Sequence, residues 1–145
     1  MKTLSKLPLA DSWDHVIPHA DLQAVFLEEG SLILQTGDHW IHVIDGATGL
    51  TRWTLDLQMP LTARPGLSEQ VVCFLSQDVL WIVDRKTGGV FKKIILEFMP
   101  STAPTPISNT TRVYMGSFDG YLYAYNWETE LRDWRYRTDD GQILS

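Results

Sequence analysis

Residues Arg112 to Trp134 read "RVYMGSFDGYLYAYNWETELRDW", and the order of residue types in this stretch decides the fold. Val113 to Ser117 is β-branched, aromatic and small, the composition of a half-buried strand. Asp119-Gly120 supplies a two-residue turn that accepts positive φ, and Tyr121 to Tyr125 resumes strand character, so the pair predicts a β-hairpin. Asn126 to Glu130 predicts a second turn, because an asparagine side chain can bond its own backbone two residues on. A third strand then begins and reaches Trp134.

Two fainter copies lie upstream. "LILQTGDHWIHVIDGATGLTRW" places Asp45, and "VVCFLSQDVLWIVDRKTGGVFK" places Asp84, where the third copy has Asn126. The spacings are 39 residues (84 − 45) and 42 residues (126 − 84). The segments "MPLTARP" from Met59 and "MPSTAPTP" from Met99 are 40 apart (99 − 59), and each adds a short strand ahead of its hairpin. A period of about 40 residues with four strands per period is that of a β-propeller blade. The expected fold class is therefore all-β, with about three four-stranded antiparallel sheets. Three blades at 20–58, 59–98 and 99–138 follow an N-terminal segment, 1–19, with an outer strand at Ser12 to Pro18. Residues 139–145 are the entry to a further blade. Closed propellers need about four to eight blades, so three make a partial propeller.

The units resemble the PQQ-type, quinoprotein-like propeller repeat, whose pattern is roughly V-Y-x-G-S-x-D-G-x-L-Y-A-x-D-x-x-T-G-x-x-x-W. The third copy matches at Val113, Tyr114, Gly116, Ser117, Asp119, Gly120, Leu122, Tyr123, Ala124 and Trp134. The first matches at Asp45, Thr48, Gly49 and Trp53. The second keeps Asp84, Thr87 and Gly88 but has Lys92 where the tryptophan belongs. In the family that tryptophan packs between neighbouring blades against a small strand residue and the turn glycine. The resemblance thus implies that Trp53, Trp134, Gly49, Ala124 and Asp45 are blade-docking residues. The small position holds Val43 in the first copy and Ile82 in the second, and Glu130 stands at the glycine position in the third.

Composition bounds the function. A 145-residue chain with 44% hydrophobic and 11% aromatic residues can bury a core of its own. Net charge −6 and pI near 5.0 argue against a nucleic-acid surface, which needs clustered Lys and Arg. The single Cys73, in "VVCFL", excludes an internal disulfide and reads as a buried strand thiol. The N-terminus has Lys2 and Lys6 but no apolar core of signal-peptide length, and the longest apolar runs, such as Val71 to Leu75, are far too short to span a membrane. The compartment is cytoplasmic if Met1 is the native start and periplasmic or extracytoplasmic if a signal was removed.

Chemistry-bearing clusters are thin. Pro18 separates His15 from His19, so no helix places both on one face. His39 and His42 point to opposite faces of a strand. Glu28-Glu29 and Asp139-Asp140 are solvated turn charges, and Asp45, Asp84 and Asp119 recur with the repeat as turn-makers. Gly88-Gly89 is a hairpin turn rather than a phosphate loop. The expected function is a non-catalytic propeller segment, a protein-binding or scaffold module similar to the non-enzymatic family members such as the outer-membrane assembly lipoproteins. The alternative is a fragment of a quinoprotein dehydrogenase holding pyrroloquinoline quinone and Ca²⁺. The resemblance would then require adjacent cysteines and a converging carboxylate, Asn and Asp set, so the expectation is no catalytic residue, no cofactor and no metal site.

Strand alternation makes both faces of each blade apolar, Leu122 and Ala124 against Tyr121, Tyr123 and Tyr125 in the third copy. Leaving two such faces uncovered would forfeit on the order of 10 kcal/mol. The terminal blades are therefore expected to be covered by self-association or by a protein partner, with Trp13, Trp40, Tyr121, Tyr123 and Tyr125 as candidate interface residues.

Overall fold

The computed structural model describes residues 21–137. They form twelve β-strands and no helix, hence no helix long and apolar enough to cross a membrane. The Trp13 strand, His15, His19 and residues 139–145 lie outside the described residues.

The chain divides into two compact units. The first contains one sheet and the turn at 86–88. Its strands β1 (Leu22–Glu28), β2 (Ser31–Thr36), β3 (Trp40–Asp45) and β4 (Thr51–Asp56) pair antiparallel in sequence order. Every residue of β2 is buried, as a central strand with neighbours on both edges must be. The β1–β2 turn puts Glu29 at φ 47° and Gly30 at φ 80°, the pair of positive values that matches the twist of a two-residue hairpin.

The second unit holds two sheets. One consists of β5 (Gly66–Leu67), β6 (Val71–Ser76), β7 (Val79–Asp84) and β8 (Val90–Ile95), and the other of β9 (Thr105–Pro106), β10 (Arg112–Gly116), β11 (Tyr121–Asn126) and β12 (Leu131–Arg137), each again in sequence order. Their shared core joins Val71, Cys73, Leu75, Leu80, Ile82, Ile94, Leu96 and Phe98 to Val113, Met115, Tyr123 and Tyr125. The Phe98 and Tyr123 rings stack at 3.8 Å and 3°. Along the inner edge the two sheets meet backbone to backbone. A Cβ on Gly66 would lie 1.9 Å from the Pro104 carbonyl oxygen, so only glycine fits there. Gln70 and Asn109 add a two-way tie: the Gln70 amide donates to Asn109 Oδ1 at 2.8 Å, and the Asn109 N–H donates to Gln70 Oε1 at 2.8 Å.

The internal repeat is literal at the backbone. Each sheet carries a register shift at the same place between its third and fourth strands, at Val43/Ile44, Ile82/Val83 and Ala124/Tyr125. Each then turns on an Asp or Asn. Asp45 Oδ1 accepts from the Ala47 and Thr48 amides at 2.9 and 3.1 Å, and Asn126 Oδ1 accepts from the Glu128 and Thr129 amides at 3.0 and 3.3 Å. The fifth residue of each turn has positive φ: Gly49 74°, Gly88 78°, Glu130 60°.

Residues 77–78 join β6 to β7 and 37–39 join β2 to β3, but the connection that the sequence predicts as the two residues Asp119-Gly120 spans 117–120, between β10 and β11. In the latter, Ser117 bridges Pro100 and the Phe118 amide donates to the Met99 carbonyl at 3.1 Å. The preceding inner segment therefore keeps the chain extended past the end of β10, and of Asp119-Gly120 only Gly120 takes positive φ, 87°.

Candidate interaction surface

The functional question is what the sheets present. The resemblance to the repeat marks the position opposite the small residue of each sheet's third strand as a docking position. In the first unit Trp53 pairs with Val43 and is 6% exposed. Its ring lies on Gly88: a Cβ built there would fall 2.7 Å from Trp53 Cδ2 and Cε3. In the second sheet the position belongs to Lys92, opposite Ile82, and Lys92 Nζ reaches Glu130 Oε2 at 3.4 Å. Glu130 occupies the place that Gly88 holds one repeat earlier. Its left-handed backbone is pinned by Tyr125, whose hydroxyl donates to the Glu130 carbonyl at 2.9 Å. Beside this pair Phe91 stacks on Trp127 at 6.0 Å and 4°.

The third docking position is Trp134, opposite Ala124. Ala124 is fully buried, yet Trp134 is 42% and Tyr136 61% exposed, and every residue of β12 is exposed. Tyr114 leans on Trp134 at 5.8 Å and 37°. Tyr114, Leu122, Ala124, Trp134 and Tyr136 share one side of the sheet by register, rimmed by the Arg112–Asp133 ion pair at 3.0 Å.

The opposite side of that sheet is closed, which corrects part of the expected interface. Tyr123 and Tyr125 are 2% and 5% exposed because the second sheet of the same unit packs on them. Tyr121 is half-buried at the edge of this core, under the guanidinium of Arg135 at 4.2 Å. Of the other expected interface residues, Trp40 is exposed on the first sheet, while Trp13 lies outside the described residues. Of the remaining expected docking residues, Gly49 is buried, and Asp45 is held below the usual carboxylate range by the Arg52 guanidinium at 2.7 Å and the Thr48 and Ala47 amides.

Polar chemistry elsewhere is local. Asp119 Oδ2 accepts from the Tyr123 hydroxyl at 2.8 Å and Oδ1 from the Tyr121 amide at 3.1 Å. Burial pushes the Asp119 carboxyl up, but the bonds from Ser117, Tyr123 and Tyr121 together hold it below its ordinary value. Burial and the bond to Asp119 raise Tyr123. A cleft of 440 Å³ in the second unit is lined by Thr62, Ala63, Arg64, Met99, Thr102 and Phe118 among others. Its two threonines are structural: Thr62 Oγ1 accepts from the Gln77 amide at 2.7 Å and Thr102 Oγ1 from the Gly116 amide at 2.8 Å.

Among the described residues no three His, Cys, Asp or Glu side chains come together as a metal site. His39 sits in the β2–β3 connection and the half-buried His42 lies 3.5 Å from Thr36 Oγ1, so they do not converge. The sole thiol, Cys73, is completely buried, and desolvation pushes its pKa up.

No protein-family model matches the chain, and neither does any curated protein. Solved structures do. BamB from Moraxella catarrhalis superposes with TM-score 0.59 at 19% identity, over 78% of this chain and 35% of that one. The quinohemoprotein alcohol dehydrogenase ADHIIG from Pseudomonas putida HK5 gives 0.58 at 19% identity over 79% and 20%. The quinohemoprotein alcohol dehydrogenase from Comamonas testosteroni gives 0.53 at 22% over 77% and 20%. The chain thus spans about a third or less of the length of these proteins, and at such identities the likeness is one of fold: a PQQ-like β-propeller fold.

Proposed function

We propose that this chain is a non-catalytic propeller segment that acts as a protein-binding or scaffold module, with the outer side of the third sheet as its contact surface. The observation that carries this reading is the exposure of Trp134 and Tyr136 on a side whose small residue, Ala124, is prepared for packing. Aromatic side chains grouped on one side and rimmed by an ion pair have the composition of an interface core. A protein is the partner best suited to so flat and apolar a surface, because a small molecule would leave most of it wet. A catalytic role is the weaker alternative, since the described acidic, thiol and imidazole groups are turn-makers, buried or dispersed.

The reading is tested by photo-crosslinking in the producing cells. A photoreactive phenylalanine at Tyr136 should give a discrete protein adduct, and the same probe at Thr48, exposed on a turn of the first sheet, should not. Equal labelling at both positions, or none at 136, would refute it.

A further inference from the structure

The 440 Å³ cleft of the second unit is lined from both of its sheets and shares no residue with the Trp134 side of the third sheet. Its walls are pinned backbone. On one side the Thr62 amide donates to the Leu75 carbonyl at 3.0 Å, and Thr62 Oγ1 accepts from the Gln77 amide at 2.7 Å. The same threonine recurs 40 residues on (102 − 62), where Thr102 Oγ1 accepts from the Gly116 amide at 2.8 Å and the Ser101 amide donates to the Gly116 carbonyl at 2.8 Å. The Phe118 amide closes that side on the Met99 carbonyl at 3.1 Å. The cleft is therefore formed before any ligand arrives, as binding sites usually are.

Its side chains are selective in kind. Met99, Pro100 and Phe118 give it an apolar wall, and Met99 and Phe118 are 44% and 76% exposed. Arg64 carries the only charge among the lining residues, and no carboxylate lines the cleft. A lone cation beside apolar groups, in a chain of net charge −6, is complementary to an anion that carries an apolar group. Methionine, aromatic residues and arginine are also the types enriched where proteins meet. We propose that this cleft is a second contact site, which receives an extended segment of a partner protein with an apolar side chain next to an aspartate or glutamate. The apolar group rests on Met99, Pro100 and Phe118, and the carboxylate accepts from the Arg64 guanidinium, whose five donors serve more than one acceptor. One guanidinium suits a carboxylate, whereas phosphate-bearing segments are held by clusters of arginines. A small molecule is buried over most of its surface in its site, and a cleft whose wall is this exposed suits one side chain of a longer segment instead.

The probe is a set of fluorescein-labelled peptides, Gly-Gly-Gly-X-Z-Gly-Gly-Gly with an amidated C-terminus, in which X is Leu, Phe or Ala and Z is Asp, Asn or Lys. Titrated by anisotropy against the full chain, Leu-Asp and Phe-Asp should bind about tenfold more tightly than their Asn forms, the worth of one hydrogen bond to a charged group. Lys forms should bind more weakly still, and Ala in place of Leu or Phe should lose the binding. Arg64→Gln should erase the preference for Asp over Asn, while Phe118→Ala should weaken both peptides and keep their ratio. Arg64→Lys, which retains the charge, should retain a preference for Asp if the Gln variant fails to fold. Equal affinity for the Asp, Asn and Lys peptides overturns the proposal, as does an Asp preference that survives Arg64→Gln, or no binding by any peptide at millimolar concentration. Acetyl-leucine, which joins the same two groups in a small molecule, would overturn the assignment to a partner chain by binding as tightly as the peptides. Trp134→Ala should leave every peptide affinity unchanged, so the two surfaces can fail independently.

Discussion

Gly88→Ala isolates the contact on which the docking argument rests. Two costs add. Gly88 sits at φ 78°, a left-handed conformation that costs an L-residue roughly 1–2 kcal/mol. The new methyl would also lie 2.7 Å from two atoms of Trp53, an overpacking cost of about 1–3 kcal/mol. The sum is about 2–5 kcal/mol, or a fall of roughly 6–15 °C in melting temperature for a chain of this size. Gly30 is the internal control, because it has φ 80° but nothing within 4 Å of where its Cβ would stand, so Gly30→Ala reports the backbone cost alone. Urea unfolding of both variants, and of Gly88→Ala in a Trp53→Ala background, separates the two costs. The account predicts that Gly88→Ala costs about 1–3 kcal/mol more than Gly30→Ala, and that this excess vanishes without the ring. An excess that survives Trp53→Ala would show that the indole is not what Gly88 makes room for.

Three further outcomes follow from the same geometry. Asp119 is held below its ordinary pKa in the folded protein, so the stability it contributes is present above the unfolded carboxylate value of about 3.9 and is lost as pH falls through the folded value; Asp119→Asn should flatten that part of the acid limb of a stability profile, and an unchanged limb would contradict the assignment. Cys73 should resist a thiol reagent in native buffer and react on unfolding, and rapid native labelling would show that the β6 core opens. Calorimetry should register no tight binding of pyrroloquinoline quinone with Ca²⁺, and micromolar affinity would reverse the non-catalytic reading.

Much of this architecture was legible in the residues because the repeat signals are local. An Asp or Asn followed four residues later by a left-handed position is a short-range pattern that marks all three sheets, and the side chains of Asp45 and Asn126 bond the backbone of their own turns. What alternation could not tell is which apolar side meets which neighbour. Tyr121, Tyr123 and Tyr125 against Leu122 and Ala124 is a symmetric choice in one dimension, and the packing of Phe98 on Tyr123 resolves it. The length of the 117–120 connection was hidden for a similar reason, because the bridge to Pro100 that extends it comes from a distant segment. Lys92 and Glu130 were each visible as departures from the repeat, but only their 3.4 Å approach makes them one exchange.

The most direct test of the central claim is radical footprinting of the chain in the producing cells beside the purified protein. The account predicts that Trp134 and Tyr136 are oxidised in the purified protein and protected in cells, while Trp53, already covered by Gly88, is protected in both. Oxidation of Trp134 and Tyr136 at the same rate in both settings would contradict the claim that the outer side of the third sheet is an interaction surface.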